Sequence, residues 1–168
     1  AQQGLAALPR PRDRDLAARL AMLRDLSRGL DAWDRFDHGV ALECLEPYRP
    51  RIGRDWTALL VALKRLTTED EAQEPARLFD LWRNAERRAA QGRYDDAVAR
   101  VYRLLEWSAQ WLLRTRCGIH TSEVRPDQVP PDMTLTPNDK GRIYAGLMQA
   151  WKLLAAHQPN TPAGQFFN

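Results

Sequence analysis

Lysine is almost missing from this chain, which has three against 22 arginines, and cysteine is limited to Cys44 and Cys117. Neither cysteine belongs to a CxxC pair, which argues against a disulfide framework or a cysteine-based metal site; two buried free thiols are the expectation, and nothing calls for a metal or a cofactor. No apolar run approaches the roughly 18 residues that cross a bilayer, and no secretion signal is visible, so the expectation is a cytoplasmic protein with no membrane contact. Nor does any stretch alternate strand and helix patterns around a glycine-containing ligand loop, which excludes an α/β sensor domain from these residues.

What remains is ordinary globular material: 168 residues, 44% apolar and 28% charged. That length buries about 70% of the unfolded surface, enough for a real core. The net charge of +3 is unevenly spread. Between Arg83 and Arg116 eight arginines face only Glu86, Asp95, Asp96 and Glu106. Three readings of that surplus stay open: generic helix-surface arginines of a GC-rich genome, structural ion pairs, and contact with nucleic acid.

The surplus sits on a helical hairpin that organises the rest of the chain. Leu78, Trp82, Ala85 and Ala89 recur at helical spacing before Gly92, which supplies the left-handed residue that ends the first helix. Asp95 and Asp96 then place negative charge in the first turn of a second helix of about 25 residues. Ala97, Val98, Val101, Leu104, Leu105, Ser108, Trp111 and Leu112 form its broad apolar arc. Arg100, Arg103, Glu106, Gln110 and Arg114 follow along another face, with Trp107 among them. An indole on that line predicts that protein covers it, with Arg103 and Glu106 paired three residues apart.

The flanks read as further helices. Residues 1–12 carry two prolines and look like a linker from a preceding domain. A first helix, capped by Asp13 or Asp15, sets Leu16, Leu20, Leu23, Leu26, Leu30 and Trp33 on one side. A second begins after Asp37, and a third starts at Asp55 with Trp56, Leu59, Leu60, Leu63 and Leu66 in its core face. Pro75 takes the first position of the hairpin's first helix. Four prolines between His120 and Pro137 forbid a long helix there. Thr136 and Pro137 signal a later one that carries Ile143, Leu147, Trp151 and Leu154, and Thr161 and Pro162 repeat the signal near the end. The domain is drawn over 13–168 as a helical bundle cut short at its C-terminal end.

The run NAERRAAQGRYDDAVARVYRLLEWSAQWLL, followed by GIHTSEV and preceded by AWDRFDHGVALECL, resembles the CRISPR-associated proteins of type III systems that join a CARF sensor domain to a helical HEPN region. The likeness covers about residues 14 to 168. It implies an all-α, HEPN-like bundle built around a long antiparallel helical hairpin. It also implies the helical part of a homodimeric, metal-independent endoribonuclease that cuts single-stranded RNA in antiviral defence. A cyclic oligoadenylate would activate that enzyme through the CARF domain, which this sequence lacks. The family's catalytic RN…H segment is expected after Phe167, so no catalytic residue is assigned and this stretch by itself is expected to be inactive. Within the resemblance, Arg87, Arg88, Arg100, Arg103, Glu106, Gln110 and Arg114 are the candidate RNA-binding residues or a structural polar network.

Two competing signals stand beside this resemblance. Arg114 and His120 fit the letters of the catalytic spacing, but with so many arginines one such match is expected by chance, and Gly118 separates them. His38 and His157 read as surface or cap residues. An echo of Arg35-Phe36-Asp37 at Arg93-Tyr94-Asp95, offset by 58 residues, suggests a helical-repeat scaffold of the tetratricopeptide kind as the alternative; that family repeats every 34 residues.

Overall fold

In the computed structural model, which describes residues 14–51 and 53–167, the regular structure is helical. The expected linker 1–12 and Asp13 lie outside the described residues. Seven α-helices occur among the described residues: α1 Arg14–Asp34, α2 His38–Leu45, α3 Arg54–Thr67, α4 Gln73–Ala90, α5 Tyr94–Leu112, α6 Leu147–His157 and α7 Pro162–Phe167. The all-α fold class is therefore as expected. Contacts divide the chain into two compact units that change over between Arg77 and Leu78, within α4.

In the first unit the core is made by Ala32, Ala41, Leu45, Leu60, Leu63 and Leu66, with Leu26, Trp33, Val40, Trp56 and Leu59 at its edges. The leucine stripe expected on α1 contributes less than its spacing promises, because Leu16, Leu23 and Leu30 are exposed. Small residues decide the contact face instead. A methyl group at Gly29 would come within 2.7 Å of Leu45 Cγ, so α2 lies directly against the α1 backbone there. His38, expected as a surface or cap residue, is buried as the first residue of α2 with its ring edge-on to Phe36, 6.1 Å between centroids.

The two helical corners share a geometry that the sequence echo misregisters. Phe36 and Gly92 both take left-handed backbone, at φ 64° and 74°. The next residues, Asp37 and Arg93, donate their N–H groups back to Ala32 and Arg88, and their carbonyls open the next helix by accepting from Ala41 and Ala97. The corners thus correspond at an offset of 56 residues, whereas the matching letters lie 58 apart. Asp37 caps α2 by accepting from Val40 N–H at 3.3 Å; Asp95 sits inside α5 and caps nothing. The echoed letters are not a structural repeat.

In the second unit α5 runs on through a π turn, Leu113–Cys117, and stops at Gly118, which has φ 64° and donates its N–H to Leu113 C=O. Its core gathers Ala109, Leu113, Ile119, Val124, Ile143, Ala145, Ala150, Leu153 and Leu154. Partial burial raises the pKa of the Cys117 thiol, partly offset by a hydrogen bond with Gln158; Cys44 and Cys117 are both free but half-buried rather than buried as expected. Two expectations fail here. Thr136 and Pro137 do not start a helix: Asn138 Oδ1 accepts from the N–H groups of Lys140 and Arg142, and Gly141 turns left-handed, making a tight turn instead. Ile143 then bridges to Val124 and Pro137, and α6 begins only at Leu147. Thr161 and Pro162 do what their signal promises, since Thr161 Oγ1 accepts from Gly164 N–H at 3.3 Å as α7 opens.

Candidate nucleic-acid interface

Helix α5 presents three distinct faces within the second unit. Ala97 and Ala109 are buried, with Val101, Leu104, Ser108 and Leu112 half-buried along the same side. The expected apolar arc is wider than this covered strip: Val98 and Leu105 are exposed, and with Tyr94 and Tyr102 they make an uncovered apolar line. Trp82 of α4 is likewise exposed, and Leu81 takes the buried place expected for it. The reason is geometric, because a period of 3.6 residues marks apolar positions without saying how many of them meet a neighbour.

The polar line lies on the other flank of the covered strip and is graded along its length. Arg100 has 20% of its side chain exposed and meets Asp96 at 3.2 Å. Trp107, Gln110 and Arg114 are half-buried. Arg103 and Glu106 do pair, at 2.7 Å, with side chains 55% and 36% exposed, so within this chain the pair is a surface contact. Such a pair contributes about 0.3 to 0.5 kcal/mol, against the roughly 3 to 5 expected for a buried one. Glu106→Gln is therefore expected to shift the melting temperature by about 2 °C or less in differential scanning calorimetry. Arg87 reaches Asp80 at 4.0 Å and Arg88 is buried, 3.5 Å from Asp96, so both belong to an internal network.

Sequence reasoning missed most of that network. Asp80, Asn84 and Arg88 follow at intervals of four along α4 and are all buried. Asp96 in turn gathers Arg88, Arg93 and Arg100, at 3.5, 2.8 and 3.2 Å. The available signal was the spacing of those three polar letters, which falls on the same side as Leu81 and Ala85.

At the far end of α5 the polar line opens into a pocket of about 240 Å³, lined by Gln110, Arg114, His120, Thr121 and Ser122. The chain brings Arg114 and His120 together despite Gly118, because the left-handed turn there folds the segment back beside the helix it leaves. Several hydrogen bonds hold that segment in place. Ile119 N–H donates to Leu113 C=O at 3.1 Å, Ala145 N–H to Thr121 C=O at 2.9 Å, and Val124 N–H to Ile143 C=O at 2.9 Å. The buried Gln128 adds a further tie by donating from Nε2 to Gly118 C=O at 3.5 Å, and its own carbonyl accepts from His157 Nε2 at 2.8 Å. His157 stands exposed at the end of α6, where a surface or cap residue is expected, and its bond ties that end to Gln128.

Residues 68–168 match the Csm6 HEPN domain family. The chain belongs to that family. Membership gives it a CRISPR-associated, ribonuclease-type function with RNA as the partner class. The matched stretch holds α4 to α7 and hence every residue of the HEPN pocket and polar line, whereas α1 to α3 lie outside it. No curated protein and no solved structure matches the chain. In the HEPN stretch and elsewhere among the described residues, no helix is long and apolar enough to cross a membrane.

Proposed function

We propose that this chain is the helical part of a cytoplasmic, cyclic-oligoadenylate-activated endoribonuclease that cuts single-stranded RNA in antiviral defence. The observation that carries the reading is the HEPN match across α4 to α7. The arginine surplus of the same stretch supports it, since a basic face attracts a polyanion. Activation by the cyclic messenger belongs to a CARF domain joined to this helical part. The enzyme works as a homodimer, and the uncovered line of Tyr94, Val98, Tyr102 and Leu105 is apolar surface of the kind a second copy covers.

Cleavage needs no metal in this reading. A base takes the proton of a ribose 2′-hydroxyl, whose oxygen bonds to the adjacent phosphorus as the bond to the 5′-oxygen breaks. The leaving oxygen gains a proton, and an arginine stabilises the charge gathered on the phosphorane. Neither Arg114 nor His120 is given a catalytic part.

The test is RNA cleavage by the protein that carries this chain, in EDTA, with and without a cyclic oligoadenylate. Cleavage of single-stranded RNA that rises on adding the messenger is expected. Cleavage that EDTA abolishes, or that the messenger leaves unchanged, contradicts the reading.

A further inference from the structure

We infer that the pocket formed by Gln110, Arg114, His120, Thr121 and Ser122 is a phosphate-binding subsite that holds one backbone phosphate of the RNA. The inference rests on the proposed RNA function and adds to it a location and a mode of recognition. Three observations carry it.

The first is chemical. All five lining residues present hydrogen-bond donors: an amide, a guanidinium, an imidazole and two hydroxyls. No carboxylate stands among them. Glu106 accepts from Gln110 Nε2 at 3.5 Å and is held by Arg103 at 2.7 Å. Arginine with hydroxyl donors is the usual set for phosphate oxygens.

The second is size and surface. A volume of about 240 Å³ admits water freely, yet it lies below the roughly 300 Å³ at which ligand pockets begin. Neither Phe, Tyr nor Trp lines it, so the planar groups it offers are the His120 ring and the Arg114 guanidinium, both also donors to a phosphate. A phosphate, with part of its ribose, is what the pocket suits.

The third is rigidity. The segment that brings His120, Thr121 and Ser122 to Arg114 is fixed by the bonds from Ile119, Val124, Ala145 and Gln128 described above. Its backbone is therefore set before a ligand arrives, which limits the ordering cost of binding.

The test is fluorescence anisotropy with labelled single-stranded oligouridylate and oligoadenylate across a salt series, for the wild type, Arg114→Gln and Ser122→Glu. Ser122 is exposed, so its variant probes the pocket without disturbing the core. Both variants are expected to weaken binding about tenfold and equally for the two sequences. Arg114→Gln should also lower the slope of log affinity against log salt by about 0.7. Wild-type affinity and slope in both variants, or a loss confined to one base sequence, would overturn the inference while the RNA reading stands. The converse failure is visible too. If the wild type binds no RNA but inorganic phosphate shifts the Thr121 and Ser122 amide resonances, the phosphate subsite stands and the RNA reading falls.

Discussion

Asp96→Ala is expected to lower the unfolding free energy by about 2 to 4 kcal/mol, measured by urea denaturation. One carboxylate there serves three guanidinium groups, and two of them, Arg88 and Arg100, have side chains only 9% and 20% exposed. Charges so placed have lost much of their hydration, and removing their shared counter-charge takes away what offsets that loss. Asp96 also stands in the first turn of α5, where a negative charge adds a few tenths of a kcal/mol through the helix dipole. Asp96→Asn keeps the shape and some hydrogen bonding, so it should recover only part of the loss. If Asp96→Ala costs less than about 1 kcal/mol, the arginines behave as ordinary surface groups and the network is not structural.

Leu113→Ala is the second large effect, expected at about 2 to 5 kcal/mol. The Leu113 side chain is fully buried in the core of the second unit, and its carbonyl receives the N–H groups of Gly118 and Ile119. Alanine keeps that carbonyl, so the loss comes from the emptied volume beneath the segment that carries His120. Leu113→Met, which roughly conserves volume, should cost less than about 1.5 kcal/mol. Amide exchange at residues 118–124 should quicken in Leu113→Ala and stay near wild type in Leu113→Met. Equal losses in both would mean that the site has little packing specificity.

The sequence was most readable where one residue type has one backbone job. Gly92 and Gly118 end helices in left-handed conformations, Asp95 and Asp96 sit in the first turn of α5, and Thr161 caps α7. It was less readable where a side chain could serve two ends. Asn138 takes two backbone N–H groups into a turn, which overrides the start signal of Thr136 and Pro137. On α1 the leucines announced a core that the small residues Gly29 and Ala32 in fact define, because close approach of α2 needs an absent side chain.

The candidate site was half legible for a related reason. Spacing placed Arg100, Gln110 and Arg114 on one line of α5, and the structure keeps them there, but burial varies along that line in a way that spacing does not encode. The meeting of Arg114 with His120 depends on how the chain folds back after Gly118, and letters six positions apart carry no such information. Buried Asp80, Asn84 and Arg88 escaped because apolar periodicity was the criterion for a core, and a paired polar network is hidden from it.

Hydrogen–deuterium exchange of the chain with and without single-stranded RNA tests most directly the claim that the HEPN stretch engages RNA along the polar line of α5 and its pocket. The account predicts slower exchange on adding RNA, concentrated over residues 106–124 and fading at high salt. Protection confined to residues 14–67, or none at RNA concentrations that saturate binding, would contradict it.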